Sequence, residues 1–238
     1  MGETVLHLIL LAGGKGTRAG AGDPTPKQFR PTGRGPLFTV SLKEFLSLDP
    51  GSGFRLADAV VTVADSWRDQ AAAALTDCAV PWELAPAGTS RTASTWRAVR
   101  RMAANFEPAS RDLVAVHDAA RPFASAGLLD RLATAAASSG GAVPGVPVPD
   151  TIAQATAVGA SYLERSTLVA VQTPQVFRWG IFQAAHAWAD SKGLDFTDDG
   201  SLMASRGHTP EVVPGEQENW KVTTAGDWRR AADLLARG

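Results

Sequence analysis

The sequence predicts an α/β fold, a three-layer sandwich with a mostly parallel, twisted sheet and a projecting β-hairpin arm. Three observations carry this. Short β-branched apolar runs recur along the chain, amphipathic helical stripes lie between them, and one polar segment interrupts the alternation. Short strands without polar alternation suit a parallel sheet covered on both faces.

The expected strands are Leu6 to Leu11, Ala59 to Val63, Leu113 to Val116, Ala142 to Val148, Val169 to Val171 and Glu211 to Val213. Between them, Phe38, Leu42, Phe45 and Leu46 share one helical face. Ser66 and Asp69 have capping-box spacing before the alanine-rich stretch to Leu75, and Thr224 and Asp227 have it before Trp228 to Ala236. Val99 and Met102 mark a helix after Ser90, and Leu128, Leu129 and Leu132 mark another. From Asp150 to Arg165 the chain is polar and β-branched around Gly159. It reads as a hairpin of Thr151 to Thr156 and Ser161 to Arg165 leaving the sheet, because long connections without structure are uncommon unless functional. No linker divides the 238 residues, which read as one domain with residues 150–165 as its arm.

Composition excludes several classes. With 45% hydrophobic and 20% charged residues, the chain can bury a core and is not mainly disordered. The longest apolar stretch, around Val5 to Ala12, is too short to cross a bilayer, and no secretory signal opens the chain. A single cysteine, Cys78, rules out an internal disulfide or a multi-thiolate zinc site and fits the cytoplasm. A formal net charge of −1 argues against a nucleic-acid binder, so any phosphate must meet a local cluster of cations.

Such a cluster is visible. The first strand runs into Ala12-Gly13-Gly14-Lys15-Gly16-Thr17-Arg18. A glycine-rich turn there exposes backbone N–H groups that can wrap phosphates. It is not a Walker loop, since Gly16 follows Lys15, and it lacks the third glycine of a dinucleotide fingerprint. Arg18 and Lys27, the latter in Pro26-Lys27-Gln28-Phe29, stand at the two ends of a Gly-, Ala-, Asp- and Pro-rich segment that could close over a triphosphate. His117-Asp118-Ala119-Ala120-Arg121-Pro122 follows directly on a strand, where ligands of open α/β sheets sit. Asp118 there can hold magnesium or sugar hydroxyls. His117 reads as a packed, hydrogen-bonded residue and not as a base.

Taken in order, these motifs resemble the 2-C-methyl-D-erythritol 4-phosphate cytidylyltransferases. The resemblance runs nearly end to end, through Pro147-Val148-Pro149-Asp150-Thr151, Leu163-Glu164-Arg165-Ser166, Gln172-Thr173-Pro174-Gln175, Thr197-Asp198-Asp199 and Asn219-Trp220-Lys221-Val222-Thr223. It implies a Rossmann-like sheet and cytidylyl transfer from CTP to a sugar-alcohol phosphate, with Mg2+ as cofactor. Arg18, Lys27 and Lys221 match catalytic cations on the phosphates. Ala12, Gly13, Gly14, Gly88, Thr89, Ser94, Asp118 and Ala119 match nucleotide-binding positions. Asp118 also matches the magnesium and acceptor position, and Thr151, Arg165 and Thr173 match the acceptor site. The resemblance further implies a homodimer in which the arm crosses to the partner, and no nucleic-acid or membrane partner. The chain departs from the pattern at Thr89, where an aspartate is frequent, and at Pro149 and Ala153, where cations are usual. Pentitol-phosphate cytidylyltransferases share the glycine loop and the Asn-x-Lys-Val-Thr element; His117 to Arg121 and Glu164 to Ser166 favour the methylerythritol enzymes. A catalytically silent binding protein is the reading from another class, and the retained cations argue against it.

Overall fold

The structure, a computed structural model, describes residues 3–14 and 25–237. In chain order the strands and α-helices are β1 (Thr4–Leu11), β2 (Pro31–Thr32), β3 (Gly35–Pro36), α1 (Leu37–Phe45), β4 (Phe54–Val63), α2 (Arg68–Ala74), β5 (Trp82–Pro86), α3 (Arg91–Asn105), β6 (Leu113–Asp118), α4 (Ala126–Ser139), β7 (Gly141–Pro147), β8 (Ala153–Thr156), β9 (Gly159–Tyr162), β10 (Val169–Val171), β11 (Gln175–Arg178), α5 (Trp179–Lys192), α6 (Asp199–Ser205), β12 (Glu211–Pro214) and α7 (Ala225–Arg237).

An eight-stranded sheet has the order β10-β7-β11-β6-β1-β4-β5, with β12 also pairing along β7. The β6-β1-β4-β5 half is parallel throughout. Between β6 and β7, β11 runs antiparallel to both. Successive residues of β1 point to opposite faces, and both faces are buried. Leu8 and Leu10 join Phe38, Leu42, Leu128 and Leu132 from α1 and α4, while Ile9 joins Met102 and Phe182 from α3 and α5. Burying apolar surface on both sides is what the continuous Leu-Ile-Leu run encodes, at roughly 1.5–3 kcal/mol for each large aliphatic side chain. A third apolar cluster seats α7 on α1, through Leu235 and Ala231 against Leu37, Val40 and Val222.

The expected sandwich is therefore present, with local differences. Ser66 does not cap α2: a 3-10 turn, Asp65–Trp67, leads into it, and Trp67 stacks on Phe29 at 4.9 Å. Thr224 and Asp227 do form the reciprocal cap of α7, with the Asp227 N–H donating to Thr224 Oγ1 at 3.1 Å and the Thr224 N–H to Asp227 Oδ2 at 2.8 Å. The arm forms a hairpin of β8 and β9, tighter than expected at both ends and exposed along its whole length. Val169 to Val171 forms a strand, but on an exposed stretch along β7 and not inside the core.

Candidate active site

The parallel strands end along one rim, and their following loops are tied edge to edge. The Ala12 N–H donates to Thr62 O (3.0 Å), Ala87 N–H to Val63 O (2.7 Å) and Ala119 N–H to Leu11 O (3.1 Å). This brings the loops after β1 and β5 so close that a Cβ on Gly13 would sit 2.3 Å from Ala87 Cβ. Glycine is the residue that permits this approach. The loop after β5 closes on α3 in the same way. The Gly88 N–H donates to Ser94 Oγ (2.9 Å), the Ser94 hydroxyl donates to Ser90 O (2.8 Å), and Ser90 Oγ caps the helix by accepting from Ala93 N–H (3.1 Å).

A cleft of about 590 Å³ opens above this rim. Of the site residues expected from the sequence, Gly13, Gly14, Lys27, Gly88, Thr89, Ser94, Asp118 and Lys221 line it. Ala12 and Ala119 are buried beneath it and hold the loop starts. Arg18 lies outside the described residues.

Lys27 opens a 3-10 turn, Lys27–Phe29, that is bolted in place. Gln28 Nε2 donates to Ala12 O (2.7 Å) and to Gly14 O, and Phe29 packs on Phe38 and Trp67. Gln28 thus shapes the glycine loop, a role the sequence reading had not given it. The Lys27 amino group donates to Val222 O, which puts it beside the Lys221 segment. This end of the expected lid is a fixed element.

Asp118 ends β6. Its Oδ2 accepts from Lys221 Nζ at 2.6 Å, and its Oδ1 is 3.5 Å from Arg91 Nε. Burial works against its charge, but Arg91 and Lys221 outweigh burial and hold the carboxyl well below the usual carboxylate range. Asp118 is therefore ionised at neutral pH. Its neighbour His117 is neutral: burial pushes the imidazole down to about 4. The His117 Nε2–H donates to Arg121 O (2.9 Å), Nδ1 accepts from the Thr173 hydroxyl (3.2 Å), and the ring meets Phe45 edge-on at 5.0 Å. The structural role expected for it holds.

Thr173 differs from expectation. It is buried, and its Oγ1 accepts the Asp118 N–H at 3.0 Å while its own proton goes to His117. It does not line the cleft; it fixes Asp118 from below. Asn219, fully buried, donates to Thr173 O (2.8 Å), Arg121 Nη1 donates to Asn219 O (2.7 Å), and the Val222 N–H donates to Ala120 O (2.8 Å). Three motifs distant in sequence thus meet in one hydrogen-bonded knot that aims Lys221 at Asp118. Thr151 and Arg165 are exposed at the arm and do not line this cleft; Arg165 Nη1 donates to Pro149 O at 2.8 Å.

Arg91 is the functional residue the sequence reading missed. It lines the cleft at the first turn of α3 and reaches back to Asp199, with Nη1 2.7 Å from Asp199 Oδ2. Burial opposes its charge, but Asp199 and Asp118 overcome this and raise its pKa further.

The donors also decide what metal could sit here. Among the described residues, no group of three or more His, Cys, Asp or Glu side chains could hold a metal ion. Magnesium needs no such cage, since it is usually held by one or two carboxylates together with substrate phosphates and water. The ionised Asp118 carboxylate in a cleft of cations and glycines fits that mode.

A sequence model of the family described as IspD, 2-C-methyl-D-erythritol 4-phosphate cytidylyltransferase, matches residues 6–237. The 2-C-methyl-D-erythritol 4-phosphate cytidylyltransferase of Carboxydothermus hydrogenoformans is 34% identical over 235 residues, 98% of this chain and 96% of that protein. The bifunctional enzyme IspD/IspF of Rhodopseudomonas palustris (strain BisB18) is 35% identical over 95% of this chain but only 55% of its own length, so the chain spans about half of that relative. Among solved structures, the 2-C-methyl-D-erythritol 4-phosphate cytidylyltransferase of Thermus thermophilus superposes with a TM-score of 0.71 at 31% identity, covering 100% of both chains. With the cleft, its cations and this match along almost the whole sequence, the chain belongs to the 2-C-methyl-D-erythritol 4-phosphate cytidylyltransferase family.

Proposed function

We propose that the chain transfers the cytidylyl group of CTP to 2-C-methyl-D-erythritol 4-phosphate, giving 4-diphosphocytidyl-2-C-methyl-D-erythritol and pyrophosphate. One observation carries this reading: Lys27, Lys221 and the Gly13-Gly14 backbone converge on a cleft with one ionised carboxylate, Asp118. No histidine or cysteine lines that cleft among the described residues. That set suits a reaction whose nucleophile arrives already charged. A phosphate-monoester oxygen of the acceptor attacks the α-phosphorus of CTP, the new P–O bond forms in line, and the bond to the departing pyrophosphate breaks. The protein's work is to position both anions and neutralise their charge. Lys27 and Lys221 supply the neutralising contacts, and the Gly13 and Gly14 backbone gives close approach. Asp118 would hold magnesium, which when bound would screen the phosphate charge. Arg18 belongs to the same set of cations.

The base lies, on this reading, at Gly88, Thr89 and Ser94. The Ser94 hydroxyl holds the Gly88 turn, so selection of cytosine falls to the loop backbone and Thr89. Thr151 and Arg165 reach the acceptor phosphate of a partner subunit in a homodimer. Supporting this, the arm and strand β10 each expose apolar side chains to solvent, Val158 at 98% and Tyr162 at 74% on the arm and Val169 and Val171 on β10. Large apolar side chains held out to solvent on a projecting hairpin suit an interaction surface. A reducing cytoplasm suits the single Cys78, and no helix among the described residues is long and apolar enough to cross a membrane.

The test is pyrophosphate release from CTP and magnesium with methylerythritol phosphate or ribitol 5-phosphate as acceptor. Faster turnover of ribitol 5-phosphate would overturn the acceptor assignment, and no release with either would favour a silent homologue. Mixing Lys27→Ala with Arg165→Ala subunits tests the dimer. If the arm is shared, each mixed dimer regains one intact site; no recovery would refute arm exchange.

A further inference from the structure

Asp118 has two cationic neighbours, and the structure treats them differently. Lys221 reaches it from an extended segment with its side chain 41% exposed. Arg91 faces the other carboxylate oxygen with its side chain 21% exposed, and is held there. Its Nη1 is committed at 2.7 Å to Asp199 Oδ2, and the Asp199 side chain is 1% exposed. The other Asp199 oxygen accepts from Nε2 of His186, which is fully buried on α5 at 3.0 Å. If Arg91 swung toward substrate phosphates, Asp199 would be a buried carboxylate without its cation, which is strongly unfavourable. Among the described residues, Lys221 carries no such second obligation.

We propose that Arg91 is a positioning residue for the transfer reaction: anchored by Asp199 and His186, it holds the Asp118 carboxylate in place while Lys221 turns from that carboxylate to the phosphates. The inference rests on the cytidylyl-transfer reading of the cleft. It explains why α6 and α5, which do not line the main cleft, send Asp199 and His186 toward it. It also links the two halves of the nucleotide site. Arg91 follows directly on Ser90, the cap that shapes the Gly88 to Ser94 turn, so the first turn of α3 holds both the base loop and the Asp118 carboxylate. A lysine at position 91 could neutralise Asp199 but lacks the planar fork that reaches two carboxylates at once.

The experiment is a double-mutant cycle of Arg91→Lys with Asp118→Asn, read by turnover with CTP, magnesium and methylerythritol phosphate. CTP binding is measured by calorimetry and folding by thermal melting. Arg91→Lys is expected to melt close to the unmodified protein and to lose about tenfold in turnover, a loss that falls below about twofold once Asp118 is already Asn. A turnover unchanged by Arg91→Lys, or a loss of the same size in both backgrounds, would overturn the proposal, since Arg91 would then act independently of Asp118. If Arg91→Lys does not fold, Asp199→Asn, close in shape and without the charge, takes its place in the cycle with the same expected coupling. If the unmodified protein transfers nothing, the functional reading fails by itself. The Arg91–Asp118 coupling is then judged on CTP affinity in the same four proteins.

Discussion

Lys221→Met separates the catalytic role proposed for this lysine from its structural one. The substitution keeps an apolar stem of similar length and removes the ammonium group. In the structure that group lies 2.6 Å from Asp118, with the Lys221 side chain 41% exposed and the Asp118 side chain 13% exposed. An ion pair with one partner so open to water contributes about 0–1 kcal/mol to folding. Arg91 stays 3.5 Å from the same carboxylate, so Asp118 is not left without a cation. For a chain of 238 residues, that loss lowers Tm by about 2–4 °C at most. The effect on rate is of another order. A preorganised charge aimed at developing negative charge is worth about 2.7–4 kcal/mol, or about 100–1000-fold in turnover. Pyrophosphate release at saturating CTP and acceptor, beside a thermal melt of the same sample, reads both quantities. A rate loss under about fivefold would show that Lys221 does not meet the reacting phosphates. A fall in Tm of more than about 6 °C would show that its absence unfolds the knot around Asn219 and would refute the separation argued here.

Three further outcomes are expected. Lys27→Ala and Arg18→Ala should each cut turnover by about 100-fold or more, as checked by the same assay, since in the proposed reaction each removes one positive charge from the triphosphate. Gly88→Ala should weaken CTP binding in calorimetry, because its Cβ would fall 2.6 Å from Ala93 and the Ser94 nitrogen and force the base loop off α3. Folding should also be acid-sensitive through His117. Its folded pKa lies near 4 against 6.5 for the ordinary group, so below pH 6.5 the unfolded chain binds the proton that the folded chain refuses. Stability should therefore fall by about 2 kcal/mol between pH 7.5 and pH 5 in urea titrations, and this dependence should flatten in His117→Gln.

The sheet and most helices were legible because their signals are local. Leu8, Ile9 and Leu10 form a run without polar alternation, and the structure buries them on opposite faces. Thr224 and Asp227 announce a cap by spacing alone, and they form it. Strand β5 escaped notice because Glu83 and Pro86 mask a short segment that the pairing with β4 determines. Helix α5 was overlooked because Ile181, Ala184, Ala187 and Trp188 spread apolar residues around the helix and blur the buried stripe of Trp179, Phe182, His186 and Ala189. In the site, the glycines and cations near strand ends stand out in the sequence, and Gly13, Gly14, Lys27 and Lys221 do line the cleft. Arg91 does not stand out, since its meaning comes from Asp118 and Asp199, which only the folded chain brings to it. Thr173 was found for a different reason than the one it serves: its hydroxyl is spent on Asp118 and His117 beneath the cleft.

The reversed direction of β11 has a practical consequence for anyone modifying this protein. Most rim loops follow their strands, but the Gln172 to Pro174 segment precedes β11 and still arrives beside Asp118. Residues inserted ahead of Gln175 would press directly on the chemistry. Residues inserted after Arg178 would fall at the opposite pole, where the Trp179 N–H donates to Asp112 O, but there the buried Trp179 opens α5, which carries His186 to Asp199. A tag or reporter spliced into this chain therefore belongs at neither end of that one inverted strand.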